Sequence, residues 1–93
     1  MGKGMEMVLY TRPTCSDCQD AKTYLAANGI SYEHKDVEAA TELEIDMKEI
    51  SGSRIVPLFA FYKKGLFGKR RLERHFIGFE ENKEELKRLF ALL

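Results

Sequence analysis

Residues 14–18 read Thr-Cys-Ser-Asp-Cys and hold both cysteines of this 93-residue chain, Cys15 and Cys18. Two thiols separated by two residues suit three chemistries: a structural disulfide, half of a metal site, or a dithiol that opens and closes. A staple is most effective across a long loop, because the chain entropy it removes grows with loop length. This pair would close a very short one. A zinc centre is filled by four Cys or His ligands in closely spaced sets. Beyond the cysteines the chain offers only His34 and His75, which lack that spacing and read as strand residues with ordinary partners. A working dithiol needs two sulfurs within bonding reach and one of them held as a thiolate, so its case depends on the elements around the pair.

Those elements are legible in the pattern of side chains. Residues 5–10, Met-Glu-Met-Val-Leu-Tyr, read as a strand, and Thr11-Arg12-Pro13-Thr14 as the turn that ends it. Cys18, Ala21, Leu25 and Asn28 recur at helical spacing, which predicts a first helix from about Cys15 or Ser16 to Asn28, with Asn28-Gly29 as its stop. Alternation over 30–37 predicts a second strand with Ile30, Tyr32 and His34 on one side. Leu43, Met47 and Ile50 mark a second helix over 38–50, closed by Ser51-Gly52. Residues 56–62 predict a buried strand opened by Pro57, and a turn over 63–68 returns the chain as a strand over about 70–77. Asn82 and Glu85 have the spacing of a variant capping box, ahead of a last helix carrying Leu86, Leu89, Phe90 and Leu93.

The order β-α-β-α-β-β-α fits an α/β sheet with one parallel pair and later antiparallel strands. It places Cys15 at the mouth of the first helix and Cys18 one turn inside. A helix start presents unpaired backbone N–H groups and the positive end of the helix dipole, and both favour a thiolate. Arg12 adds a positive charge nearby; Asp17 opposes, modestly if it points to water. Lowering a thiol from ~8.5 to ~6 makes it ~90% ionised at neutral pH, for roughly 3.4 kcal/mol of differential stabilisation. The i, i+3 spacing sets both sulfurs on one face. Cys15 is then the attacking thiolate and Cys18 the thiol that resolves the mixed disulfide.

The run Thr11-Arg12-Pro13-Thr14-Cys15-Ser16-Asp17-Cys18 after a strand resembles the glutaredoxins, and Gly52-Ser53-Arg54-Ile55-Val56-Pro57 resembles that family's segment ending in Thr-Val-Pro. The resemblance implies a thioredoxin fold, a four-stranded mixed sheet flanked by three helices in a single domain over residues 1–93. It implies thiol–disulfide oxidoreductase activity on protein disulfides or mixed glutathione disulfides, no tightly bound cofactor, and glutathione as a possible electron donor. It further implies a cis bond before Pro57, facing the cysteines, and a backbone at Val56 that pairs with the cysteinyl part of glutathione. Arg12, Arg54, Ile55, Gly78 and Phe79 complete the implied binding set, Arg12 beside the glycine carboxylate of glutathione. Arg54 serves equally well as an ion-pair partner for an acid of the second helix. Phe79 stands where glutathione-using members carry a second glycine, so its side chain is expected to crowd the amino end of glutathione. Gly78-Phe79 is similar to redoxins reduced by thioredoxin reductase. A further alternative implied by the family is a dimer bridged by an iron–sulfur cluster, with one cysteine per chain plus glutathione.

Composition narrows the partners. The formal net charge is zero, with 15 basic and 15 acidic residues, so no global charge draws the chain to nucleic acid or a membrane. No apolar run reaches the ~18 residues of a membrane span, and the first seven residues lack the apolar core of a signal peptide. The expectation is a cytoplasmic monomer, in a compartment where resting structural disulfides are rare. Charge is nonetheless uneven: residues 63–74 hold six basic residues and one acid, residues 33–49 seven acids and two bases. The basic stretch reads as a solvated edge that discourages sheet-to-sheet association, or as a docking patch for an acidic protein.

Overall fold

A computed structural model describes residues 4–93; residues 1–3, part of the domain span and of the leader reading above, lie outside the described residues. The elements run β1 (Met5–Thr11), α1 (Ser16–Ala27), β2 (Glu33–Asp36), α2 (Thr41–Ser51), β3 (Leu58–Lys64), a single 3-10 turn (Leu66–Gly68), β4 (Arg70–Ile77) and α3 (Lys83–Phe90). The strands form one sheet in the order β2-β1-β3-β4. β1 pairs parallel with β2 and antiparallel with β3, and β3 pairs antiparallel with β4. This is the expected mixed sheet with three helices.

Strand alternation splits the core into two layers. Met7 and Leu9 of β1 join Phe59 and Phe61 of β3 on one face, where Ala21 and Leu25 of α1 and Leu86 and Phe90 of α3 cover them. Val8 and Tyr10 join Leu58 and Ala60 on the other face, under Met47 of α2 and Val37. The two central strands are therefore buried on both sides, which is why they read as nearly continuous apolar runs.

The elements depart from the sequence reading at several places, the main ones for local reasons; Thr11, Lys63 and Lys64, read as turn, lie in β1 and β3, and α1 ends at Ala27. β2 begins at Glu33 rather than Ile30, because only residues 33–36 find partners along β1; Ile30 and Tyr32 pack instead against the α1–α3 layer. α2 begins at Thr41 rather than Glu38. The Asp36 side chain accepts the Glu38 N–H at 2.9 Å, and its carbonyl accepts that of Ala39, a side-chain-closed turn that competes with helix. β3 starts at Leu58, one residue after Pro57. The capping box does not form: Asn82 Nδ2 donates to the carbonyls of Ile77 and Gly78 at 2.8 and 3.0 Å, and Glu85 turns to Arg74 and Arg88.

The basic stretch runs from the end of β3 through the connecting turn into β4, the exposed edge strand. Much of its charge is matched within the fold. Arg70 pairs with Glu6 at 3.0 Å and Glu33 at 3.6 Å, Arg71 with Glu73, Arg74 with Glu85, and Lys64 with Glu6. The hydrogen bond from Arg70 is the main reason the Glu6 carboxyl titrates below its ordinary range.

The Phe79 side chain, expected to crowd the amino end of glutathione, has its ring 2% exposed and packed inside the α1–α3 layer, 5.7 Å from the Tyr24 ring and 6.2 Å from that of Phe59. Replacing it by alanine removes a core aromatic, and Phe79→Ala is expected to lower stability by about 3–5 kcal/mol. Denaturant unfolding followed by circular dichroism checks this; a loss below about 1 kcal/mol would contradict a core position.

Candidate functional site

Thr11, Pro57 and Gly78 come together at one end of the sheet because the strands before and after them are in register. Tyr10 pairs with Leu58, and Leu58 with Ile77. The turn after β1, the segment before β3 and the turn after β4 thus leave from adjacent rungs, and the cysteines sit among them.

Cys15 is the N-cap of α1. Its backbone is extended (φ −97°, ψ 112°), and its Sγ accepts the Cys18 N–H at 3.0 Å. A sulfur here fills the role usually taken by a Ser or Asp oxygen. The Cys15 N–H is turned back onto the Arg12 carbonyl at 3.3 Å. Cys18, on the buried face of α1, has no exposed surface, whereas Cys15 is half-buried. The two Cα atoms are 5.2 Å apart and the sulfurs are bonded to each other, so the chain is described in its oxidised form.

The wall opposite is the segment before β3. The Val56–Pro57 peptide is cis, and the Val56 carbonyl lies 3.8 Å from Cys15 Sγ. Pro57 is buried, and its carbonyl accepts the Gly78 N–H at 2.8 Å, tying this wall to the turn after β4. Gly78 has φ +96°, a conformation that L side chains rarely adopt. Ile55, next to Val56, is 62% exposed, and its N–H is held by Ser53 Oγ at 3.0 Å.

The charged neighbours are arranged differently from the sequence expectation. Asp17 does not point to water: Oδ2 accepts the Phe79 N–H at 2.7 Å and Oδ1 the Glu80 N–H at 3.3 Å. Arg12 is engaged with acids, Nη2 at 3.4 Å from Glu44 and Nη1 at 3.9 Å from Glu38, and it donates to the Arg54 carbonyl at 3.3 Å. Arg54 Nε reaches the other oxygen of Glu44 at 3.3 Å, the ion-pair alternative for this residue. Glu44 and the Phe79–Glu80 amides were missed as site neighbours. Asp17 and Phe79 are 62 residues apart, and Glu44 lies on a polar flank of α2 whose spacing carries no signal of what it faces. Of the histidines, His34 on β2 has its Nε2 2.7 Å from Thr11 Oγ1, and His75 lies on β4. Burial chiefly, with Lys22 adding to it, lowers the tendency of His34 to protonate.

A vicinal cysteine pair at a helix mouth facing a cis-proline, on an open β2-β1-β3-β4 sheet, defines a thioredoxin-fold thiol–disulfide exchange site. Comparison with known proteins gives the family. The sequence model for Glutaredoxin matches residues 7–61, more than half of the chain, so the protein belongs to the glutaredoxin family and is a thiol–disulfide oxidoreductase. Among solved structures, it is similar to the glutaredoxin grx-1 from Archaeoglobus fulgidus, at 25% identity and a TM-score of 0.67 over 90% of this chain and 84% of that one. It is also similar to a glutaredoxin from Brucella melitensis, at 28% identity and a TM-score of 0.58 over 96% and 91%. The fold further matches a buckwheat glutaredoxin–glutathione complex, at 18% identity and a TM-score of 0.62 over 98% and 78%. A search of curated proteins returns no match. Among the described residues, no helix is long and apolar enough to cross a membrane.

Once the disulfide is reduced, the Cys18 N–H that caps α1 through sulfur is positioned to bond a Cys15 thiolate, a charge-assisted hydrogen bond. Thiolate absorbance at 240 nm of the reduced protein is expected to develop below pH ~8. Cys15→Ser should remove that low-pH transition and Cys18→Ser should retain it; a transition lost only with Cys18 would assign the ionised sulfur to the wrong residue.

Proposed function

We propose that the protein reduces protein disulfides, and mixed disulfides with glutathione, through a two-step dithiol cycle in which Cys15 attacks and Cys18 resolves. The difference in burial between the sulfurs carries this reading: a substrate can meet Cys15, whereas Cys18 has no surface to offer. In the first step the Cys15 thiolate attacks one sulfur of the substrate disulfide. A Cys15–substrate bond forms, and the other substrate sulfur leaves as a thiolate that takes up a proton. In the second step Cys18, deprotonated, attacks Cys15 Sγ. The mixed bond breaks, the second substrate thiol departs, and the Cys15–Cys18 disulfide holds the two-electron oxidation.

The surroundings support this order. The Cys18 N–H bonds Cys15 Sγ, so it stabilises Cys15 as the attacking thiolate. Val56 and Pro57 form the wall against which a disulfide-bearing segment would lie, with exposed Ile55 as an apolar contact for a protein substrate. Re-reduction requires two electrons, from two glutathione molecules or from the dithiol of thioredoxin reductase. That the buckwheat relative is a complex with glutathione supports a thiol of this class at the site. A cycle that must return to the dithiol form suits a reducing compartment such as the cytoplasm.

Insulin reduction followed by turbidity tests the assignment. Cys15→Ser is expected to abolish turnover. Cys18→Ser should stop at the first step and accumulate a substrate adduct on Cys15, seen as an added mass that dithiothreitol removes. Full activity of Cys15→Ser would refute the proposal.

A further inference from the structure

Two sets of hydrogen-bond donors flank the dithiol, and each already holds a carboxylate from the chain itself. On one side the consecutive Phe79 and Glu80 N–H groups, presented by the turn at Gly78, both point at the carboxylate of Asp17, the residue immediately before Cys18. Paired backbone amides of this kind form an anion-binding concavity. On the other side the guanidiniums of Arg12 and Arg54 converge on Glu44, one on each carboxylate oxygen. Arg12 is the residue whose carbonyl fixes the Cys15 N–H, and Arg54 lies two residues before the Val56 carbonyl that faces Cys15 Sγ. Both donor sets are thus anchored to the segments that carry the reacting sulfur and its wall.

Resting on the oxidoreductase reading above, we infer that Asp17 and Glu44 are specificity-determining residues, internal carboxylates that occupy the donors flanking the dithiol and so disfavour small carboxylate-bearing thiols such as glutathione relative to protein disulfides. Glutathione carries a carboxylate at each end and has little apolar surface. To bind beside Cys15 it must displace Asp17 from the Phe79 and Glu80 amides and share Arg12 and Arg54 with Glu44, or leave its own carboxylates unmatched near acids already in place. A protein disulfide depends on neither set. Its backbone and apolar side chains can lie against Val56 and Ile55, the latter exposed beside the wall. The arrangement is discrimination by filled sites: the attractive groups exist, and the chain satisfies them with its own charge.

The neutral variants Asp17→Ala and Glu44→Gln, singly and combined, test this by two readouts. The first is binding of S-methylglutathione, which cannot exchange, followed by amide NMR shifts on the oxidised protein. The combined variant is expected to bind at least about tenfold tighter than the parent, ~1.4 kcal/mol, with the Phe79 and Glu80 amides among the most shifted. The second is the ratio of kcat/KM for a glutathione mixed disulfide to that for insulin, with re-reduction coupled to thioredoxin reductase. It should rise by a similar factor, mainly through a lower KM for the mixed disulfide. Unchanged or weaker binding in folded variants would overturn the inference, as would a parent that already binds through the Phe79 and Glu80 amides. If Asp17→Ala fails to fold, Glu44→Gln decides by the same criteria. Failure of the pre-reduced protein to reduce either disulfide in a single turnover, a measurement that needs no electron donor, would instead count against the oxidoreductase cycle, and the binding measurement would still judge the internal carboxylates.

Discussion

The site depends on one hydrogen bond, the Cys18 N–H to Cys15 Sγ. It makes a cysteine the cap of the helix that carries its partner. A helix beginning leaves several N–H groups without intrahelical acceptors, and here one of them is satisfied by sulfur. The structural need of α1 and the chemical need of a thiolate are met by the same donor. Capping also explains why the pair must be two residues apart: an N-cap side chain reaches the N–H two or three positions on, which is where Cys18 lies. The same i, i+3 placement brings the second sulfur within bonding distance.

What holds this cap in place is the registration of three strands. β1 delivers the turn before Cys15, β3 starts where the wall ends, and β4 delivers Gly78, all from neighbouring rungs. The Gly78 N–H to Pro57 carbonyl bond closes the arrangement across the two loops. Because β1 and β3 are buried on both faces, the rungs are fixed by the core rather than by the loops. Stability and site geometry therefore share one cause, the packing of Met7, Leu9, Phe59 and Phe61 beneath α1 and α3.

The sequence was informative where local pattern decides structure. Runs of apolar and β-favouring residues located β1 and β3, the turn over 63–68 implied the returning β4, helical spacing located α1 and α3, and Cys15 was readable as a helix start because a turn with Pro13 precedes it. The cis bond at Pro57 came from family resemblance, since no local signal distinguishes it. The misread features were those set by groups distant in the chain. Asn82 has the spacing of a capping box, yet its amide is drawn to the Ile77 and Gly78 carbonyls left by the end of β4. Phe79 stands where glutathione-using members carry a glycine and was expected to crowd the amino end of glutathione; that its ring packs with Tyr24 and Phe59 in the core was not legible. Asp17 and Glu44 are ordinary acidic residues in one dimension. Their significance comes from a tertiary pairing with donors that spacing cannot reveal.

The buried ring of Phe79 has a consequence for how such a protein can diversify. Its own amide and that of Glu80 bond the Asp17 carboxylate, while its side chain is locked in the hydrophobic interior. The turn is thereby bolted to the least changeable part of the molecule, and its amides have little freedom to be re-aimed. New preferences for a reaction partner would have to arise by exchanging side chains around a rigid frame, with residues such as Asp17 acting as replaceable inserts.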